Sequence, residues 1–405
     1  MDSGQTTHSP RLAALGQALA HGDGAALAAF WRHMAQQGAP LIEPIAGDDE
    51  DLLVTFVWRG GDESEGVAIV NGFSGRDGAD ALTRLPESDL WYRSFVLPND
   101  LRESYQFAIG GQHVADPLNP RTHRFPDDPD IGFTGWLSSV VELPAAPPQL
   151  WSEPRPEVPK GRLESHRLPS AGLGQEYRVW VYTPPGYQTD AAPYGFLVML
   201  DGWFYVNLIP TPAILDNLLA AGRLPPLAAI MVGAPYDQTR QRDLACHAPF
   251  ADFLTGELLP WARGRYHLTG DPGQSAIVGV SLGGLMAAFV GLRHADIFGN
   301  VLAQSAFFGW KPASKGEDEW IARQFIASPK LPLRFYIEAG RLETQVGTIE
   351  PGWNNFLVGA RHMRDVLRAK GYAVHYGEFC GGHNPMNWRG TLADGLLALL
   401  GADTL

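Results

Sequence analysis

Hydrophobic and polar positions change rhythm twice along the chain. Residues 10–37 place apolar side chains at helical spacing, with Ser9-Pro10 as a start signal and Gly22-Asp23-Gly24 as a break, which predicts one or two short helices. From about residue 40 the rhythm becomes one of short alternating runs. The runs at 52–58, 66–70, 91–97 and 104–109 are rich in β-branched and aromatic residues and separated by turn clusters, the pattern of an antiparallel sandwich.

Six prolines between 144 and 159 (Pro144, Pro147, Pro148, Pro154, Pro156 and Pro159) interrupt both rhythms and predict a stiff linker that sets the spacing of two halves. Beyond it, strand-like and helix-like segments alternate. Apolar runs at 177–182, 196–200, 228–232, 276–280, 300–304, 333–338 and 375–379 predict strands, and 248–265, 282–294, 355–370 and 390–400 carry helical periodicity. Such alternation predicts an α/β fold, a doubly wound and mostly parallel sheet covered on both faces. The expected division is 1–150, an all-β, immunoglobulin-like sandwich with a short helical start, and 151–405, the α/β domain.

Composition narrows the function classes. A chain of 405 residues, 45% hydrophobic and 19% charged, is long enough for two domains with substantial cores. A formal net charge of −13 argues against non-specific nucleic-acid binding, which needs basic surface. The two cysteines, Cys246 and Cys380, make no disulfide framework and suit a reducing compartment. The apolar stretch at 12–20 is broken by Gly16 and Gln17 and lacks a basic leader, so no export signal is expected. No apolar run reaches the length of a membrane span. The expectation is a cytoplasmic protein without membrane or nucleic-acid partners, its oligomeric state left open. The histidines lack ligand spacing, so no catalytic metal is expected.

The chemistry centres on Gly279-Val280-Ser281-Leu282-Gly283, which follows a β-branched run and precedes a small-residue helical one. That context predicts a nucleophile elbow, with Ser281 at the apex of a strained strand-to-helix turn and glycines where side chains would collide. A serine hydroxyl needs a base. His383, in Cys380-Gly381-Gly382-His383-Asn384, follows the last predicted strand and comes after Ser281 in the chain, as a hydrolase base should. The acid that orients it is expected after the strand at 333–338. Glu343 lies on the loop there; Glu338, within the strand, is the competitor, and another acid or a Ser–His dyad without one are the remaining alternatives. Of the two oxyanion donors, one is the N–H of Leu282, and the other is expected from Gly202 or Trp203 in the loop Leu200-Asp201-Gly202-Trp203.

With these residues in place the chain closely resembles the enterochelin (enterobactin) esterases, of the esterase-D-like branch of the α/β-hydrolases. The resemblance rests on 82–85, 89–94, 101–107 and Asp116-Pro117-Leu118-Asn119-Pro120 in the first half. In the second it rests on Arg240-Gln241-Arg242-Asp243-Leu244, Gln304-Ser305-Ala306 and 382–390. It implies a serine esterase acting on a small-molecule siderophore, the cyclic trilactone of 2,3-dihydroxybenzoylserine, with no cofactor and with iron present only as part of the substrate complex. A triply anionic aromatic ligand calls for arginines and ring faces. The candidates are Arg240, Arg341 and Arg389, with Trp203, Phe204, Tyr205, Phe307 and Trp310 as walls, and Arg84, Trp91 and Arg93 from the sandwich. Each has a plainer reading as an ion pair or core residue. Cys380, His247 and the apolar loop 306–310 depart from the family pattern and bear on which ester is cut more than on how. An esterase for another aromatic or acyl ester is the alternative, and a non-hydrolytic catecholate binder a more distant one.

Overall fold

The computed structural model describes residues 9–60, 66–70, 73, 79–233, 238–312, 318–346 and 355–402. The chain opens with α1 (Pro10–Ala20) and α2 (Gly24–Gln37). Ser9 caps α1 by accepting the Leu12 N–H at 3.1 Å, and Asp23 caps α2 through the N–H groups of Ala25 and Ala26. Ten strands follow: β1 (Leu41–Ile45), β2 (Asp48–Arg59), β3 (Val67–Val70), β4 (Ala79–Ala81), β5 (Thr83–Arg84), β6 (Leu90–Pro98), β7 (Arg102–Ile109), β8 (Gln112–Val114), β9 (Thr122–Phe125) and β10 (Trp136–Glu142). Among the described residues they form two antiparallel sheets, ordered β1-β2-β6-β5 and β4-β3-β7-β10-β9, with β8 on β7. Val54 and Phe56 of β2 face Tyr105 and Phe107 across the sandwich core. Val57 points the other way, under Leu12, Leu15, Leu19, Phe30 and Met34. The opening helices thus cover the outer face of the first sheet, which is why β2 is apolar on both sides.

The second half builds one sheet from β11 (Arg162–Ser170), β12 (Gln175–Thr183), β13 (Gly195–Leu200), β14 (Leu227–Gly233), β15 (Ser275–Val280), β16 (Asn300–Gln304), β17 (Arg334–Gly340) and β18 (Ala373–Phe379). Their order is β11-β12-β14-β13-β15-β16-β17-β18, antiparallel as far as β14 and parallel thereafter. This is an α/β-hydrolase fold preceded by an all-β region. The helices are α3 (Gly202–Asn207), α4 (Thr211–Ala220), α5 (Gln238–Leu244), α6 (Ala248–Phe253), α7 (Leu259–Arg263), α8 (Leu282–Arg293), α9 (Trp320–Ala327), α10 (Phe356–Ala369) and α11 (Pro385–Leu400). The periodic stretch at 248–265 is α6 and α7 joined by a π turn at Leu254–Leu258. Alternate strand residues face opposite layers. Val198, Leu200 and Ile277 pack under α6 to α10, while Leu197, Met199 and Val278 pack under α3, α4 and α11. No helix among the described residues is long and apolar enough to cross a membrane.

Residues 143–161 run from one half to the other along α4. The Asn217 amide donates to the carbonyls of Trp151 (2.8 Å) and Glu153 (2.9 Å), and Asp216 Oδ1 accepts the Gly161 N–H (2.8 Å) and the Tyr182 hydroxyl (2.6 Å). Replacing Asp216 strands two donors at a site only 7% exposed. Asp216→Ala is therefore expected to lose about 1–3 kcal/mol in urea unfolding, and Asp216→Asn, which keeps an acceptor oxygen, to recover most of it.

Candidate active site

The parallel strands end at one edge, and the candidate residues sit on the loops there. Ser281 follows β15 with φ 55° and ψ −122°, a conformation L-residues avoid, of a kind that costs about 1–3 kcal/mol. The turn is so tight that a Cβ on Gly279 would lie 2.2 Å from the carbonyl carbon of Gly283. Ser281 is held by its N–H donating to the Gln304 carbonyl at 3.0 Å and its carbonyl accepting from Leu285 and Phe307. It caps α8, whose first N–H groups have no acceptor within the helix and carry the positive end of its dipole.

The loops after β17 and β18 run together: Arg341 N–H donates to the Phe379 carbonyl (2.8 Å) and Leu342 N–H to that of Gly381 (3.1 Å). A Cβ on Gly340 would meet Gly381 O at 2.2 Å, so glycine is required for this approach. The pairing brings Glu343 Oε1 to 3.5 Å from His383 Nδ1, a little beyond hydrogen-bond length, as catalytic contacts often are before substrate binds. Glu343 is fully buried. Its Oε1 accepts the Ser305 hydroxyl at 2.6 Å, and Ser305 Oγ in turn accepts Trp388 Nε1–H at 2.8 Å. Trp388 and Phe356 also pack edge to face with the His383 ring, at 5.0 and 4.7 Å. Glu338, the competing acid, is engaged elsewhere. It accepts from Gln304 Nε2 (3.0 Å), Thr391 Oγ1 (2.6 Å) and the Tyr336 hydroxyl (2.9 Å), and burial pushes its carboxyl up to about 8. At neutral pH it is mainly uncharged.

The loop after β13 lies against the elbow. Asp201 is left-handed (φ 61°, ψ 45°), and a Cβ on Gly283 would come within 3.1 Å of its Oδ2. Arg240 grips both Asp201 oxygens at 2.7 Å, fixing the turn that leads into Gly202 and Trp203. Gly202 packs so closely on β14 that a Cβ would sit 2.5 Å from Met231 C.

A cavity of about 770 Å³ contains Ser281 and His383 and suits a ligand of drug size or more. Arg240, Leu282, Phe204, Phe307 and Trp310 line it. Other expected ligand contacts lie elsewhere. The Trp203 ring is 2% exposed, tilted against Phe133 at 4.5 Å with its Nε1–H on Asp128, and Tyr205 is buried beneath the sheet, donating to Gln304. Arg341 pairs with Asp100, and Arg389 donates to Gln149 Oε1 at 2.6 Å; both face the join between the halves. Arg84 donates to the Ser88 carbonyl on the sandwich, and Trp91 and Arg93 lie on β6, also away from the cavity. Cys380 is 3% exposed in the sandwich core, where burial pushes its thiol up to about 12, so it carries no thiolate chemistry at neutral pH.

Along most of its length the chain is similar to known esterases. The family described as enterochelin esterase, N-terminal, matches residues 53–112, and the putative esterase family matches 170–399. An iron(III) enterobactin esterase of Dickeya dadantii is 30% identical over 93% of each chain. The crystal structure of a ferric enterobactin esterase from Salmonella typhimurium superposes with a TM-score of 0.75 at 26% identity, covering 92% of this chain and 98% of that one. That of the Shigella flexneri enterobactin esterase, in the presence of enterobactin, gives 0.73 at 25%, covering 92% and 97%. The chain belongs to the enterochelin esterases. It is a carboxylic-ester hydrolase.

Several residues around this esterase's cavity were not singled out as ligand contacts in the sequence. Phe356 opens α10 and Val346 follows Glu343 on the loop after β17, and the sandwich supplies Glu103, Ser104, Phe125, Phe133, Trp136 and Ser138. Phe125 and Trp136 stand opposite each other in register and stack at 4.4 Å. The two acids are separable by experiment. Glu343→Gln should lower kcat about 10²–10⁴-fold on an aryl ester, with KM little changed. Glu338→Gln should leave kcat within a few-fold. Because the folded carboxyl of Glu338 holds its proton more tightly than the unfolded one, its contribution to stability is full below the unfolded value and fades as pH rises through about 8. The Tm of Glu338→Gln relative to wild type should therefore rise between roughly pH 5 and 8.

Proposed function

We propose that this esterase hydrolyses the ester bonds of a catecholate siderophore trilactone, ferric enterobactin or a relative, and so releases its iron. The observation that carries this reading is the aromatic-walled cavity shared by both halves around Ser281 and His383. Phe204, Phe307, Trp310 and Phe356 face it from the catalytic side, and Phe125, Phe133 and Trp136 from the sandwich. Such walls suit several aryl groups held about one reacting ester. Ser138, 1% exposed and on the same lining, has a hydroxyl without a partner among the described residues, apt for an aryl amide.

In the proposed reaction His383 takes the proton of Ser281 as its oxygen attacks a lactone carbonyl. The N–H of Leu282 and one from Gly202 or Trp203 receive the oxyanion. The intermediate collapses, His383 returns the proton to the departing seryl hydroxyl, and an acyl-enzyme remains. Water, deprotonated by His383, then frees the acid and regenerates Ser281. Glu343 holds the imidazole and balances the imidazolium. The protein brings no cofactor; the iron is cargo. The reducing cytoplasm is the compartment proposed, since Cys246 and Cys380 are both free thiols.

A mass-resolved time course with apo- and ferric-enterobactin tests this. Ordered appearance of linear trimer, dimer and monomer, abolished by Ser281→Ala, is expected. No turnover of either form by protein still active on a simple aryl ester would leave the esterase acting on another aromatic or acyl ester. Trp136→Ala, at the 40% exposed rim, should raise KM for the siderophore about tenfold and leave that for a small acetyl ester unchanged.

A further inference from the structure

Glu103 belongs to β7 of the sandwich, yet it is 2% exposed and borders the catalytic cavity. Its Oε2 accepts the N–H of Gly382, and its Oε1 accepts the side-chain amide of Asn384 together with the N–H of Ser104 at 2.8 Å. The two loop partners are the residues on either side of His383. Neither contact tolerates much change. A Cβ on Gly382 would lie 2.7 Å from Glu103 Oε2, and the Asn384 side-chain oxygen is already committed to capping α11 through Met386 N–H at 2.9 Å. The backbone before Glu103 extends the same seam. Arg102 N–H donates to the Cys380 carbonyl at 3.0 Å, and Arg102 O accepts the Asn387 amide at 2.9 Å.

We infer that Glu103 is a positioning residue for His383, a carboxylate of the sandwich that clamps Gly382 and Asn384 and so sets where the imidazole stands over Ser281. This rests on the serine-esterase reading proposed above. The N–H groups of Gly382 and Ser104 and the Asn384 amide all donate to Glu103, whose two oxygens accept from each of them. The hydrogen bonds to it are charge-assisted and buried, the strong kind. A clamp on both neighbours removes the freedom of the loop to slide along the strand edge. The Glu343 to His383 separation of 3.5 Å leaves little room for such a slide. A misplacement near 1 Å costs a catalytic group about a hundredfold. The sandwich then does more than wall the cavity: docking it completes the catalytic geometry.

The test uses the full chain, an aryl phosphonate that titrates Ser281, and an aryl acetate as substrate, so it does not depend on the siderophore. The variants are Glu103→Gln, which keeps the shape but loses one acceptor, and Gly382→Ala, which keeps the carboxylate but pushes it off the loop. The control is Asp130→Ala, which removes the Arg167 ion pair between the two halves, on β11 and away from the loop. Expected for both variants is a fall in kcat per titrated site of about 10–100-fold, with KM within about twofold. The control should keep kcat per site within about twofold whatever its Tm. If Glu103→Gln does not fold, Gly382→Ala carries the test alone. Unchanged kcat per site in the folded variants, even with a lowered Tm, would overturn the inference and leave the esterase reading standing. Failure of wild-type Ser281 to react with the phosphonate would overturn both.

Discussion

The site depends on keeping a carboxylate, Glu343, in a place water does not reach. A charged oxygen pair buried this deeply is tolerable only with donors close at hand and a cation within reach. Ser305 supplies the donor, held in a left-handed backbone (φ 43°) that aims its hydroxyl at Glu343 while accepting the indole N–H of Trp388. In the proposed mechanism His383 supplies the cation when it takes the serine's proton. These three come from the end of β16, from α11 and from the loop after β18, so those segments must meet at one point. Five residues before Glu343, Glu338 shows the opposite solution. It is buried to the same degree with three neutral donors around it, and there burial wins and the proton stays on. Two carboxyls on one strand and its loop thus meet quite different surroundings.

Strain at the elbow and rigidity at the domain interface are linked consequences. The left-handed residues Asp201, Ser281 and Ser305 all lie at the carboxyl ends of strands, where each turn aims a group at the reaction centre. Conformations of this cost persist where neighbours over-determine them. Here the neighbours include the sandwich: Asp128 receives Trp203 Nε1–H and Arg178, while Asp216 and Asn217 hold the connecting segment to α4. A stiff proline-rich connection fits a cavity whose two walls belong to different sheets.

The features legible in the sequence are those that local geometry enforces. Gly279 and Gly283 are needed because the elbow's backbones touch, and buried parallel strands read as unbroken apolar runs whatever surrounds them. The strand β11 is hard to see, being an edge strand with polar residues along it and Pro169 near its end. The short helices α3, α4 and α9 carry too few turns for periodicity to show. The aromatics at 203–205 show why wall residues resist reading. One step along a helix turns a side chain by about 100°, so of three consecutive rings only Phe204 faces the cavity, and that phase is set by docking on β14. Arg341 and Arg389 lie on loops at the correct edge but turn to Asp100 and Gln149, partners that exist only once the sandwich and the connecting segment are docked. The same docking brings Phe125 and Trp136 in from a distant part of the chain.

Arg240 shows how charge and geometry divide the work. Its guanidinium reaches the cavity, as a residue recognising an anionic ligand would, but it chelates both oxygens of Asp201. An arginine in a bidentate pair has lost most of its field at a distance, since the carboxylate beside it cancels the charge. What it retains is directional: a planar fork that locks Asp201 in the left-handed turn that leads into Gly202 and Trp203. Its face also lies 6.0 Å from the Phe204 ring, tying the wall to the same anchor. In the proposed mechanism the positive potential at the reacting oxygen then comes chiefly from oriented backbone N–H groups, at the start of α8 and in this loop. Such dipoles are fixed in place and need no reorganisation as negative charge develops. A site organised in this way can stabilise an oxyanion strongly while its walls remain aromatic.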